Sequence, residues 1–429
     1  MRRNGLLFSI AVLIFSMVFS GCGEKEDLSG KQVIRYFQWG TPSQLETTKK
    51  LISKFELEHP DIKIIFTYAD WAGYWSKLQI ELAGNAAPDV CLMSGAYFFK
   101  FVENNQFLNL QPYIDRDKDI QMKDYYPFLV DLFKYNGDIY GVPRDFNSVA
   151  LYYNKNLFDK FGVEYPNKNW TWEDFKEAAI KLTKDVDNDG RIDYYGCELA
   201  MDMESCWGNF VWQNGGEVLN ESKTKCMLYQ PEAIEAIQFL HDFIWKYKVA
   251  TSPIEMQSYG WKGGFILGRV AMVPQGSWYL QEYRKYENIN FEVEHLPIGK
   301  KRATSANGLC HVIYAKTKYP EESWQLVKFL SQEYAQEELV KTGAAIPAMI
   351  KVADSKLFLN PEVRPANKKV FLEAMEYAHD LDFTANWGEW NGERGWGLEF
   401  EAIWLNKRLV KQACEAAARK IDKLLSEKE

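Results

Sequence analysis

Residues 136–175 read NGDIYGVPRDFNSVALYYNKNLFDKFGVEYPNKNWTWEDF. The end of this stretch is a helix start. Thr171 stands as N-cap with Asp174 three residues on, a capping-box-like signal, and Trp172, Phe175, Ala179 and Leu182 follow at helical spacing. Upstream, Val33–Phe37 alternates as a strand does. Leu45, Thr48, Leu51, Ile52 and Phe55 then share one face of a helix over Ser43–Glu58, which His59-Pro60 ends because proline disfavours helix in the residue before it. Ile62–Phe66 is a second strand, Trp75–Ala83 a second helix, and Asp89–Met93 a third strand. The β-α-β order predicts a parallel sheet with covering helices. Downstream, Val270–Val273, Phe291–Leu296 and Cys310–Ala315 read as strands and Glu399–Ser426 as one helix. The fold class is therefore α/β, with no internal repeat and no low-complexity block.

A chain of 429 residues exceeds one ordinary core, so two domains are expected. The composition, 47 % hydrophobic and 26 % charged, is that of a globular protein. The formal charge is −8, and losing Arg2 and Arg3 with residues 1–21 takes it two lower, to −10. With no Lys/Arg-rich stripe, this balance speaks against nucleic acid as a partner.

The N-terminus carries a targeting pattern. Arg2 and Arg3 precede an apolar run from Leu6 to Phe19, broken only by Ser9 and Ser16, and small residues then lead to Cys22. The run is short for a membrane span, which needs about 17 residues or more. One reading is a plain signal peptide or anchor helix. The sharper one is a lipoprotein signal, because Phe19-Ser20-Gly21-Cys22 resembles the bacterial lipobox, although Leu is commoner than Phe at the first position. Residues 1–21 are then a signal peptide, Cys22 takes the lipid, and residues 22–30 form a small, polar tether. The six other cysteines, at 91, 197, 206, 226, 310 and 414, form no CxxC and no zinc pattern. They stay as buried thiols or contribute one disulfide, with Cys197 and Cys206 as the favoured pair.

Aromatic residues make up 15 % of the chain, and many of its 15 tryptophans stand beside glycine or polar residues. Trp39-Gly40, Asp70-Trp71-Ala72-Gly73, Cys206-Trp207-Gly208, Gly276-Ser277-Trp278 and Trp387-Gly388-Glu389-Trp390 are examples. A loop indole can offer a flat face to the C–H-rich side of a sugar ring while acids and amides take its hydroxyls. Each tryptophan can equally be a core residue.

Several spaced motifs together resemble the extracellular solute-binding protein family 1, the sugar-binding lipoproteins of ABC importers. They are the stretch 136–175, Ala87-Pro88-Asp89-Val90, Gly268–Trp278 (GRVAMVPQGSW), Leu296-Pro297 with Gly308–Ala315, Pro320–Phe329 and Gly343–Pro347. The resemblance implies a two-lobed, periplasmic-binding-protein-like fold with hinge strands and a central ligand cleft. It places lobe one at 31–147 plus 309–350 and lobe two at 148–308 plus 351–429. It implies a binding subunit rather than an enzyme, monomeric and lipid-anchored on the outer face of the cell membrane, that delivers a sugar or oligosaccharide to permease subunits. The residues it points to for ligand binding are Trp39, Tyr97, Asp145, Asn147, Glu204, Trp207, Gly276, Trp278, Trp387, Trp390 and Arg394.

Asp185, Asp187, Asp189 and Asp193, with Gly190 at the sixth position, resemble the first nine positions of a calcium loop. Position 12 is Gly196 where a bidentate Glu would stand, although Glu198 lies close by. The alternative is a solvated acidic turn. No cofactor is required, and calcium would be structural. Five histidines form no HExxH, and no nucleophile elbow or nucleotide-binding glycine pattern occurs. Two rival functions remain open: a secreted glycoside hydrolase using Glu389 and Glu393 as its carboxylate pair, and an adhesion or sensory lipoprotein, which needs no closing cleft.

Overall fold

The computed structural model describes residues 30–260, 263–343 and 345–427. The signal peptide, Cys22 and all but the last residue of the tether lie outside them. Strand β1 (Gln32–Trp39) is flanked in parallel by β2 (Ile62–Ala69) and β3 (Val90–Ser94). The helix Pro42–Glu58 joins β1 to β2. Its start is a capping box: Thr41 Oγ1 accepts from the Gln44 N–H at 3.3 Å and Gln44 Oε1 from the Thr41 N–H at 2.9 Å, worth about 1 kcal/mol. Leu51, Ile52 and Phe55 are buried as the spacing requires, each contributing roughly 1.5–3 kcal/mol. The next helix, Trp71–Ala83, begins four residues earlier than the periodicity suggests, because Asp70 Oδ1 caps it through the Gly73 N–H at 2.8 Å.

A small hairpin, β4 (Lys134–Tyr135) and β5 (Asp138–Ile139), turns through Asn136 and Gly137, both at positive φ. It leads into β6 (Val142–Asn154), the longest strand. The early part of β6 pairs antiparallel with β10 (Thr304–Ile313), from Val142↔His311 to Ser148↔Ala306. Its later part pairs with β8 (Val270–Gly276), from Val149↔Gly276 to Tyr153↔Met272, and with β9 (Phe291–Glu294). The far end of β10 pairs with β3, and β7 (Tyr195–Cys197) runs parallel to β8. The sheet order is thus β2-β1-β3-β10-β6-β8-β7. Two short strands complete it: β11 (Ile346–Pro347) lies against β6, and β12 (Ala378–His379) parallel to β10. Strand β10 therefore links the β1–β3 group to β6, and β6 in turn carries the group of β7, β8 and β9. Alternation along β6 puts Val149, Leu151 and Tyr153 in one core and Val142, Phe146, Ala150 and Tyr152 in the other, one core on each face.

The structure corrects three expectations. Strand β10 starts at Thr304 rather than Cys310, because its polar first residues are hydrogen-bonded where the strand groups meet. The C-terminal helix is two helices, Leu398–Trp404 and Val410–Ser426. Asn406 takes φ 54° between them, and the Lys407 N–H returns to the Ala402 carbonyl at 2.8 Å, a Schellman-like stop. Cys197 and Cys206 do not pair: all six described cysteines are free and buried. No helix among the described residues is long and apolar enough to cross a membrane.

Candidate ligand cleft

Three aromatic rings stand at the C-terminal ends of the three parallel strands. Trp39 is the last residue of β1, Trp71 follows β2 as the first residue of its capped helix, and Tyr97 lies one turn into the helix Gly95–Val102 after β3. Such strand ends are where open α/β sheets hold ligands. Trp39 meets Trp71 at 5.0 Å and Trp75 at 5.3 Å, Trp75 stacks on Tyr97 at 4.0 Å, and Tyr97 meets Trp387 at 6.2 Å. The result is one continuous aromatic wall. Trp39, Tyr97 and Trp387 are half-buried, while Trp71 keeps 47 % of its surface exposed. Burial also holds the Tyr97 hydroxyl above its ordinary pKa. Trp387 comes from a late loop pressed onto the same helix start. A Cβ on Gly95 would sit 2.9 Å from the Phe383 ring and 3.0 Å from Asn307 Oδ1, so only glycine lets the two approach.

Beside the wall lies a polar floor on the shared strands. Asn147 of β6 pairs in register with Asn307 of β10. Asn147 Oδ1 accepts from Ser277 Oγ at 3.0 Å, and Asn307 Nδ2 donates to Ser94 Oγ at 3.4 Å. Asn307 Oδ1 is buried with no hydrogen-bond partner, an arrangement that favours an incoming donor. The half-buried indole of Trp278 folds back over Gly276, where a Cβ would lie 2.1 Å from the ring. Gly276 thus shapes the floor by having no side chain. Glu204 is half-buried on the segment Met203–Trp207, whose Glu204 carbonyl accepts from Ser305 Oγ of β10 at 2.7 Å. Amides, hydroxyls and aromatic faces suit a neutral, hydroxyl-rich ligand. No arrangement of nucleophile and base emerges among these groups.

Four expected residues sit elsewhere. Trp207 is fully buried against Trp396 at 5.0 Å and Phe400 at 4.7 Å. Trp390 is fully buried too, its Nε1–H donating to Thr384 Oγ1 at 2.8 Å. Asp145 lies between β10 and β11, 3 % exposed, with Arg144 Nη1 at 3.5 Å. Burial pushes its carboxyl pKa up while Arg144 opposes the shift. Arg394 is exposed and bridges Glu389 and Glu427 at the surface. Trp39, Tyr97, Asn147, Gly276, Trp278 and Trp387 fall on the wall or the floor, and Glu204 borders the floor through its backbone carbonyl. Trp71, Trp75 and Asn307 are added by the structure.

In the acidic loop, carboxylate oxygens of Asp185, Asp187 and Asp193 lie within 4.8 Å of one another. Their other bonds shape the turn: Asp185 accepts from the Gly190 N–H at 2.9 Å and Asp193 from the Val186 N–H at 2.7 Å. Asp185 Oδ1 is buried without a partner, which leaves an oxygen for a cation. Asp189 is outside the cluster and accepts from the Arg191 N–H. Gly196 has no room for a ligating side chain, since a Cβ there would lie 2.1 Å from the Ala179 carbonyl, and Glu198 is buried beside Gly264.

A sequence profile for bacterial extracellular solute-binding proteins matches residues 50–416. The maltotriose-binding protein of Pyrococcus abyssi is 25 % identical over 87 % of this chain and 78 % of its own. The multiple sugar-binding protein of Streptococcus mutans is 24 % identical over 87 % and 88 %. Among solved structures, an ABC substrate-binding protein from Listeria monocytogenes in complex with cycloalternan superposes with a TM-score of 0.83 at 26 % identity, over 93 % of this chain and all of that one.

Proposed function

The chain belongs to the bacterial extracellular solute-binding proteins, and on that premise we propose that it captures a sugar or oligosaccharide outside the cytoplasm and delivers it to the permease of an ABC importer. The observation that carries this reading is the aromatic wall at the ends of β1, β2 and β3 beside a floor of amides and hydroxyls. Indole faces match the C–H faces of pyranose rings, and Asn147, Asn307 and Ser277 match their hydroxyls. The sugar-binding relatives support the ligand class, and the family supports the extracytoplasmic side.

The test is a thermal-shift screen against a sugar library, followed by calorimetry on the hits. A ligand of the native state raises the melting temperature by mass action. Trp71→Ala should weaken the best hit about fivefold, the equivalent of ~1 kcal/mol of aromatic contact. Wild-type affinity in both Trp71→Ala and Trp39→Ala would remove the wall from the function. We read the chain as a binder without catalysis, since Arg394 holds Glu389 and Glu393 is exposed. Turnover of a chromogenic glycoside, lost in Glu389→Gln, would reverse that reading.

The lipobox-like segment supports anchoring through Cys22. Fractionation should find the wild type with membranes and Cys22→Ser in the soluble fraction; equal partition of the two would end the anchor reading. Asp185, Asp187 and Asp193 are further proposed to hold a structural Ca²⁺ ion.

A further inference from the structure

Apart from the wall and the floor, three cations share one neighbourhood with no carboxylate bonded to them; Arg284 and Arg364 are half-buried and Lys368 is buried. Lys368 is only 2 % exposed. Its ammonium donates to the carbonyls of Asn360 at 2.5 Å, Val363 at 2.6 Å and Pro365 at 3.0 Å. Arg284 donates from Nε to the Arg364 carbonyl and from Nη1 to the Gly343 carbonyl at 2.9 Å. Arg364 donates to the Ile289 carbonyl at 2.7 Å. None of the three forms a salt bridge among the described residues. The nearby carboxylate, Glu292, accepts instead from the backbone N–H groups of Ala366 at 2.8 Å and Asn367 at 3.2 Å. Burying cations without anions is expensive, and backbone carbonyls offset only part of that cost. Burial, with the Arg284 charge second, pulls the Lys368 pKa down to about 8, and Glu292 opposes the shift.

Arg284 and Lys368 line a cavity of about 240 Å³, with Lys341 at its rim. Lys341 is paired with Glu338 at 2.5 Å. A guanidinium has five N–H donors, and among the described residues Arg284 uses two, to the Arg364 and Gly343 carbonyls, so three remain for a ligand. Gly343 stands at φ 70°, and a Cβ there would lie 2.6 Å from Arg284 Nη1, so this glycine keeps the guanidinium in place. Apart from Asn360 the remaining walls, including Leu280, Val340 and Phe358, are apolar and strengthen any charge interaction inside.

We infer that this cavity is a binding site for a small inorganic oxyanion of the phosphate or sulfate class, gripped by the free edge of Arg284 and held by the charge of Lys368. The planar fork of arginine suits a tetrahedral oxyanion, and the volume admits one with a few waters. None of the cavity's lining residues belongs to the wall or the floor. Arg284 follows β8 through the helix Leu280–Tyr283, whereas Gly343 follows the helix Glu333–Lys341. A bound anion would therefore brace two segments that sit far apart in the sequence.

The test is equilibrium dialysis of the full-length protein against radiolabelled phosphate in a low-salt buffer free of other oxyanions. One phosphate per chain is expected, displaced by sulfate but not by chloride at equal ionic strength. Thermal shift should show a saturable rise with phosphate, and Arg284→Gln should bind at least tenfold more weakly. Chloride displacing phosphate as well as sulfate does would mark a general salt effect and overturn the site. So would an Arg284→Gln protein with wild-type binding. Should that variant not fold, dialysis of the wild type still decides: no bound phosphate at millimolar concentration refutes the inference.

Discussion

Tryptophans beside glycine turned out to be of two kinds, and the difference is steric. Gly276 makes room for the Trp278 ring, and Gly40 follows Trp39 at a strand end. Gly208 and Gly395 instead mark tight backbone packing around indoles that are wholly inside: a Cβ on Gly208 would lie 2.7 Å from the Met203 carbonyl, and one on Gly395 only 1.8 Å from the Trp390 carbonyl. Glycine adjacency therefore reports a close approach without saying whether solvent or core lies opposite, and Trp207, beside Gly208, faces the core; Trp390, between Glu389 and Asn391, is buried although its neighbours are polar. Trp71 was legible through Asp70, an N-cap whose helix starts earlier than its apolar spacing. At the same scale, three aspartates decide the acidic loop. Asp185, Asp187 and Asp193 repel one another at 4.8 Å or less unless a cation joins them. Adding Ca²⁺ to chelator-treated protein should raise the melting temperature by a few degrees, the effect of about 2.7 kcal/mol at a hundredfold excess over Kd. EGTA should reverse it, and Asp185→Asn should abolish it; a wild type indifferent to both would leave a solvated turn.

Elements with strong local signals were readable, and those defined by distant partners were not. The helix Trp172–Leu182 starts where its capping box predicts, with Thr171 Oγ1 accepting from the Asp174 N–H at 3.3 Å. The β-α-β opening follows from alternation and a proline stop. Thr304, Ser305 and Asn307 look like loop residues in the sequence, so its apolar pattern marks only the Cys310 end of β10. Each is buried and hydrogen-bonded to a neighbouring strand or segment: Thr304 Oγ1 donates to the Val149 carbonyl at 3.0 Å, Ser305 Oγ to the Glu204 carbonyl, and Asn307 Nδ2 to Ser94, while Asn307 Oδ1 stays open. Hydrophobic period cannot reveal a strand whose inward residues are polar and paired. The same residues form the polar floor, so the part of the fold hardest to read was the part nearest the candidate site.

For the molecule as a whole, the fold is that of two-lobed binding proteins, and the two strand groups meet through β6 and β10. The aromatic wall grows from the β1–β3 group, Trp278 from the end of β8, and Asn147 and Asn307 from the strands between. A ring lodged against both Trp71 and Trp278 needs the two groups at one spacing. Bending at β6 and β10, which link the two groups, would change that spacing. Closure requires that the ligand bind the closed form more tightly. Moving a population from 1:99 to 99:1 takes about a 10⁴-fold preference. Small-angle scattering of the protein alone and saturated with the best sugar from the screen should show the radius of gyration falling on binding. Trp278→Ala should still bind at the wall, more weakly, but should shrink less at saturation, having lost the contact that rewards closure. Identical curves with and without a tightly bound sugar would mean a preformed cleft, and the hinge role of β6 and β10 would have to be abandoned.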